Sequence, residues 1–171
     1  AIVYWLLDKQ KGEQLAASLI FTVCLSCGIK GVFATDRPFI HDSRIKSANV
    51  HTAPGYSFPS ADSAAATSVS TTVSTWTKKP LFWFLLVLYT LLIGFCRMYF
   101  GLHFPVDILG GYLIGFVVSS LIGYAIKRLK SINIFYCVSL FVLLCFAFSP
   151  NQQKDYYNAL GLVAGAVAGI L

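Results

Sequence analysis

Apolar runs long enough to cross a lipid bilayer dominate this chain of 171 residues. A crossing helix needs about 17–25 mostly apolar residues, because it rises about 1.5 Å per residue and must satisfy its own backbone hydrogen bonds in lipid. This rule predicts spans at 14–29, 60–76, 81–96, 105–126, 132–148 and 158–171, with 1–7 as the tail of an earlier span. Hydrophobic residues make up 57% and charged residues 12% of the chain, which argues against a soluble or disordered protein.

The sequence therefore predicts an all-α fold, a polytopic transmembrane helical bundle forming one membrane-embedded domain over residues 1–171. The chain begins with Ala1 rather than Met and both ends lie in apolar runs, so we expect a fragment truncated at both ends. The span at 60–76 consists mainly of Ala, Ser, Thr and Val. Because small residues let helices approach closely, we expect this helix inside the bundle.

Basic residues in the short loops predict the orientation in the membrane, because cytoplasmic loops are enriched in Lys and Arg. One face collects Lys9, Lys11, Lys78, Lys79, Lys127, Arg128 and Lys130. The other face carries the segments 30–59, 97–104 and 149–155, which we expect outside the cytoplasm. The net charge of +6 is then a property of the membrane flanks and requires no nucleic-acid partner.

Cysteine and histidine spacing argues against a metal site. Cys24 and Cys27 form a C-x-x-C, but they lie in an apolar run without a second pair, where cysteine behaves as a small hydrophobic residue. The three histidines, His41, His51 and His103, are poorly spaced for metal binding. We therefore predict no metal and no other cofactor.

Ionisable side chains cluster at the outer ends of the predicted spans, where their proximity to hydrocarbon is costly and therefore informative. Lys30, Arg37 and Arg97 supply more cations than nearby carboxylates can pair, and such cations bind phosphate. A helix start following Pro59 adds free backbone N–H groups. Ser60 can cap that helix, with the amides of Ala61 and Asp62 directed outward.

His103 and Asp107 lie four residues apart, on one face of a helix that begins near residue 103. The carboxylate can hold one ring nitrogen as N–H and leave the other with a free lone pair, as a nucleophile or base requires. A helix-start histidine with an acidic residue in the first turn is also a common structural feature. The neighbouring cations favour metal-independent phosphoryl transfer through a phosphohistidine.

These residues resemble the type-2 phosphatidic acid phosphatase superfamily of membrane lipid phosphate phosphatases. Residues 30–38 resemble its K-x6-R-P motif, and Arg97-x5-His103-x3-Asp107 resembles S-R-x5-H-x3-D with Cys96 in place of Ser. Residues 58–62 occupy the place of the P-S-G-H motif, and Gly55-Tyr56-Ser57-Phe58 resembles loops of bacterial members. The resemblance covers a motif core at 30–107. It implies a six-helix core with its site at the outer membrane face and a role in cell-envelope lipid metabolism.

The resemblance also implies roles for individual residues. Lys30, Arg37 and Arg97 would hold the phosphate, and Ser60 would donate to it. His103 would attack phosphorus, with Asp107 orienting its ring. The expected substrates are phosphatidate, phosphatidylglycerophosphate or a polyprenyl diphosphate, held among membrane lipids.

Position 62 is the main departure, because the family has there the histidine that protonates the leaving group, preceded by Gly instead of Ala61. Asp62 could act as the acid, although a free carboxyl is mostly ionised at neutral pH. The enzyme could instead be weakened, since general acid catalysis contributes about 10²–10⁴-fold; diphosphates, whose leaving group needs less protonation, would then be favoured. A third account is a chain that binds phosphate or traps a phosphohistidine, through natural divergence or engineering.

Two other classes of protein remain open at this stage. A membrane phosphate-binding or transport protein would use the same cations, although we find no internal repeat and no related pair of broken helices. A structural membrane subunit would leave the cations unexplained. The segment at 39–58 is either a lid that contacts the headgroup or a solvated connector.

Overall fold

The computed structural model describes residues 8–170 apart from 43, 46, 48, 49, 51, 52, 54 and 129–131. Within these residues the secondary structure is helical, which confirms the predicted all-α bundle. The helices are α1 (Lys9–Phe33), the one-turn α2 (Pro38–His41), α3 (Ala61–Ser74), α4 (Pro80–Tyr99), α5 (Pro105–Arg128), α6 (Ile132–Phe146) and α7 (Lys154–Ile170). The expected tail of an earlier span at 1–7, together with His51 and Lys130, lies outside the described residues.

Local chemistry sets the first helix boundaries. Asp8 caps α1 by accepting the backbone N–H groups of Gln10 at 2.9 Å and Lys11 at 3.2 Å, so α1 begins five residues before the predicted span. The helix ends at Ala34, whose backbone is left-handed with φ of 46°. Proline lies in the first turn of α4 and of α5, where its missing N–H costs no hydrogen bond.

Three stretches of the described chain are long and apolar enough to cross a membrane: Lys9–His41, Pro80–Tyr99 and Pro105–Arg128. The other predicted spans are helical but shorter, with 14 residues in α3, 15 in α6 and 17 in α7. Helix α3 is thus about 21 Å long, less than the roughly 30 Å of a hydrocarbon core. Helix α3 covers 14 of the residues at 60–76, and the interpretation of this segment as a crossing helix stays a prediction.

Helix α3 lies inside the bundle, in contact with α1, α4 and α5, as its small side chains predicted. Helix α5 approaches it closely at Gly111 and Gly115, where any side chain would collide with the backbone of Ser60 and Ala64. Helix α4 instead exposes large apolar side chains such as Trp83 and Phe84, as expected of a helix that faces lipid. The central helices α1, α3 and α5 therefore set the positions of the side chains at their ends and in the adjoining loops.

One end of this bundle collects the predicted site residues. The end of α1, the start of α3, the end of α4 and the start of α5 meet there. The α6–α7 turn closes over the same end: Ser149 donates to the carbonyl of Gly31 at 3.1 Å, and Gln152 donates to that of Gly28 at 2.8 Å.

Candidate active site

His103 and Asp107 form a buried pair at the start of α5. The imidazole is 5% exposed and Asp107 is fully buried. His103 Nδ1 lies 3.4 Å from Asp107 Oδ2, which also accepts the backbone N–H of Phe104 at 2.7 Å. The predicted contact therefore forms, but not on one helix face as expected: α5 begins at Pro105, and His103 lies in the preceding loop.

The other ring nitrogen faces Arg37. His103 Nε2 lies 3.2 Å from Arg37 Nη1. A guanidinium carries only donors, so Nε2 must accept and therefore holds the lone pair. The ring proton then lies on Nδ1, beside Asp107, which is the tautomer that a nucleophilic Nε2 requires.

Backbone carbonyls hold the two buried cations in place. Arg37, 3% exposed, donates from Nε to the carbonyl of Gly55 at 2.8 Å and from Nη1 to that of Leu102 at 3.0 Å. Lys30, 7% exposed, donates from Nζ to the carbonyls of Tyr56 at 2.6 Å and Ser57 at 3.4 Å. These carbonyls fix both side chains at the end of the bundle, where the two positive charges lie beside the cavity.

The N-terminus of α3 opens beside these cations. Ser60 caps the helix: its Oγ accepts the N–H of Ser63 at 3.4 Å and donates to the Ser63 hydroxyl at 3.0 Å. Its hydroxyl therefore faces the first turn of its own helix. The first backbone N–H groups, on Ala61 and Asp62, have no carbonyl one turn earlier in the helix to accept them, and both residues line the cavity beside His103.

Asp62 pairs with Arg97. Its Oδ2 lies 2.7 Å from Arg97 Nη2, in the last turn of α4, and the two side chains are 47% and 22% exposed. The guanidinium that we expected to bind phosphate is thus bound to the side chain of Asp62. The pair lies between two spaces, a cavity beside His103 and a neighbouring apolar groove. Asp62 borders both spaces, whereas Arg97 lines only the groove.

A polar cavity of about 180 Å³ contains the site. Its walls include Lys30, Arg37, Ala61, Asp62 and His103 from the predicted set, together with Cys27, Ala53, Gln153, Asp155 and Tyr156. A second space of about 480 Å³ lies across Asp62, between α1, α3 and α4, with a mainly apolar lining that includes Leu19, Val69, Ile93 and Phe100. A cavity lined by cationic side chains thus lies next to a mainly apolar groove, with Asp62 on the border of both.

Burial and neighbouring charge lower the pKa of His103. Desolvation is the largest cause, and the positive charges of Lys30 and Arg37 act in the same direction, while the contact with Asp107 opposes them. The neutral imidazole is therefore favoured near pH 7, and only the neutral ring has a lone pair to donate.

Sequence reasoning missed several residues of this site. Ser57 donates to Asp107, Gln153 enters the wall from the α6–α7 turn, and Asp155 enters it from the first turn of α7. In the sequence, two features pointed towards these residues: the resemblance of residues 55–58 to loops of bacterial members, and the expected location of the polar segment 149–155 outside the cytoplasm. Cys27, which we interpreted as a packing residue, also lines the cavity. Across the described residues, no group of three or more His, Cys, Asp or Glu side chains could hold a metal ion.

Comparisons with known proteins agree with this geometry. The family model described as the PAP2 superfamily matches residues 13–131. A protein of Escherichia coli (strain K12) named "Putative undecaprenyl-diphosphatase YbjG" is 29% identical over 123 residues, or 68% of this chain. This chain spans 60% of the length of that relative. The crystal structure of Aquifex aeolicus LpxE matches with a TM-score of 0.62 and 31% identity, covering 71% of this chain and 72% of that one.

The family match covers well over half of the chain, including most of α1, all of α3–α5 and every residue of the predicted site. The structural match extends over a similar share of the fold. On both grounds the chain belongs to the PAP2 superfamily.

Proposed function

We propose that this protein is a metal-independent membrane phosphatase that hydrolyses a lipid phosphate or diphosphate through a phosphohistidine on His103. The observation that carries the proposal is the unprotonated Nε2 of His103, beside Arg37 in a cavity whose walls also include Lys30 and the N-terminus of α3. Cations, helix N–H groups and an oriented imidazole are what phosphoryl transfer requires.

The chemistry proceeds in two displacements. The Nε2 lone pair of His103 attacks phosphorus as the bond to the leaving oxygen breaks, and Asp107 holds the proton on Nδ1. Lys30, Arg37 and the first N–H groups of α3 stabilise the charge on the other phosphate oxygens. Water then attacks the phosphohistidine, which releases inorganic phosphate and restores the ring.

Asp62 supports a weakened rather than an abolished reaction. Its carboxylate is bound to Arg97, so we propose that the incoming phosphate must displace it to reach that guanidinium. Once displaced, a carboxylate is a poor acid for a departing alkoxide, whereas a departing phosphate needs less protonation. Diphosphates are therefore the better substrates.

The neighbouring groove supports a lipid as the substrate. Hydrocarbon attached to a phosphate in the cavity could pass Asp62 and lie against the apolar lining between α3 and α4. The name of the Escherichia coli relative, an undecaprenyl-diphosphatase, agrees with a polyprenyl diphosphate. We place the site on the extracytoplasmic face, because the basic loops lie at the opposite ends of the helices.

The test is to trap labelled phosphate on the protein. Detergent-solubilised protein is mixed with ³²P-labelled polyprenyl diphosphate, quenched in alkali, which preserves phosphohistidine, and then digested and mapped. We expect label on the peptide that contains His103, and no label or turnover in His103→Ala. A matched control is His41→Ala, because His41 packs its ring against Phe104 outside the cavity wall and should leave the label in place.

The main alternative, a phosphate-binding or transport protein, predicts a different result. Such a protein would bind phosphate through Lys30 and Arg37 without forming a covalent bond. Phosphate binding without label on His103, and no phosphate release by either the natural chain or Asp62→His in folded form, would overturn the enzyme proposal.

A further inference from the structure

Ser57 lies where three parts of the site meet. It is fully buried, in the loop that precedes α3. Its N–H donates to the carbonyl of Thr35 at 2.7 Å, and its own carbonyl lies 3.4 Å from Lys30 Nζ. Its Oγ donates to Asp107 Oδ2 at 2.5 Å and lies 3.4 Å from His103 Nδ1. The backbone of Ser57 is thus fixed, and its hydroxyl faces the pair that prepares the nucleophile.

The hydrogen-bond donors around Asp107 are distributed unevenly between its two carboxylate oxygens. Oδ2 receives the Ser57 hydroxyl at 2.5 Å, the Phe104 N–H at 2.7 Å and the more distant His103 Nδ1 at 3.4 Å. Oδ1 is buried and has no hydrogen-bond partner in the described structure. Two short contacts therefore occupy the oxygen that faces the imidazole, and the histidine makes only a long one.

The length of that contact affects the histidine directly. A carboxylate at full hydrogen-bond distance stabilises the imidazolium form, and this stabilisation weakens with distance. If Asp107 bound Nδ1 closely, more of the ring would be protonated at neutral pH and would lack the lone pair that attacks. Ser57 and the Phe104 amide hold the carboxylate at a distance that fixes the tautomer without promoting protonation.

We propose that Ser57 is a positioning residue, whose hydroxyl holds the Asp107 carboxylate away from His103 and thereby keeps the nucleophilic imidazole unprotonated. This role rests on the proposed function of His103 as a nucleophile. The geometry itself can be tested in protein without substrate.

The experiment is a titration of the ring by NMR. Protein labelled with ¹⁵N-histidine in detergent micelles gives few ring signals, because the chain has three histidines, and His103→Gln assigns the relevant one. In Ser57→Ala the freed oxygen accepts Nδ1–H more closely. The titration midpoint of His103 should rise by about half to one pH unit, the shift that one net hydrogen bond produces. The acidic limb of kcat/KM should move by the same amount.

A second variant and a matched control separate this role from packing. Ser57→Cys keeps the shape of the side chain, with a somewhat larger terminal atom, but replaces a strong donor with a weak one, so its midpoint should lie between those of the natural protein and Ser57→Ala. Ser119→Ala removes an equally buried hydroxyl, which donates to Ser68 at 2.8 Å about 18 Å further along α5, and should leave the midpoint unchanged.

The outcomes distinguish the positioning role from the proposed function. An unchanged or lowered midpoint in folded Ser57→Ala and Ser57→Cys overturns the positioning role, as does a neutral ring protonated on Nε2. Absence of phosphate release from every variant, the natural chain included, would defeat the phosphatase proposal. The titration of His103 would still decide what Ser57 does.

Discussion

The two sides of the cavity are built differently. On the His103 side, Ser57, His103 and Asp107 are at most 5% exposed, and His103 and Asp107 keep the spacing of the motif that they resemble. On the opposite side, Asp62 is 47% exposed and pairs with Arg97, at the position where the resembled motif has histidine. A carboxylate at position 62 thus stays partly hydrated and beside a cation, whereas a further unpaired charge on the buried side would be costly.

This contrast separates the two halves of the proposed reaction. Attack by His103 depends on the buried side, which is complete. Departure of the leaving group depends on the exposed side, where position 62 is an aspartate bound to Arg97 rather than a histidine. The protein should therefore form the phosphohistidine readily only when the leaving group requires little protonation.

The substitution Asp62→His should reduce the difference between the two sides of the cavity most strongly. We expect Asp62→His to raise kcat for a lipid monophosphate by about 10²–10⁴-fold, the usual contribution of general acid catalysis. The increase should be smaller for a diphosphate with the same tail. The measurement is inorganic phosphate released from both substrates in matched detergent.

Asp62→Asn is the control for that gain, because it removes the charge and frees Arg97 without adding an acid. If Asp62→Asn stimulates monoester hydrolysis as much as Asp62→His, the defect is the ion pair rather than the missing acid. Equal rates in all three proteins would contradict both explanations.

The sequence predicted the fold well, because spans are set by local composition. The apolar runs located the ends of α3–α7 to within four residues, and the small residues of α3 predicted its interior position. They missed the one-turn α2 and placed the start of α1 five residues late. The Ser60 cap of α3 was predictable from the sequence, whereas the end of α3 at Thr75 has no comparable signal there.

The sequence also identified most of the candidate site, since Lys30, Arg37, Ala61, Asp62 and His103 all line one cavity. It could not show that Arg97 would bind Asp62, because that pairing depends on the relative rotation of α3 and α4. Nor could it assign Ser57 or Asp155. Their contribution depends on how loops that are distant in sequence fold over the end of the bundle, which leaves no local pattern.

The pH dependence provides a more modest test of the buried side. Burial and the charges of Lys30 and Arg37 lower the pKa of His103. The ring therefore stays neutral at pH values somewhat below about 6.5, the ordinary pKa of histidine. As the pH falls through this lowered pKa, the lone pair is lost and so is activity. We expect the acidic limb of kcat/KM below pH 6.5, and a limb above that value would contradict the assigned environment.

The smallest expected effect concerns stability and sharpens the contrast between the two carboxylates. Asp62→Asn removes an ion pair whose carboxylate is nearly half exposed, so the free energy of unfolding should change by less than about 1 kcal/mol. Asp107→Asn places an amide where a buried carboxylate accepts hydrogen bonds from Ser57 and Phe104, and should destabilise the protein by about 1–3 kcal/mol. Denaturation of both variants in the same detergent measures the difference. A larger loss for Asp62→Asn would mean that the ion pair with Arg97 holds α3 and α4 together, and the exposed side would then be structural as well as catalytic.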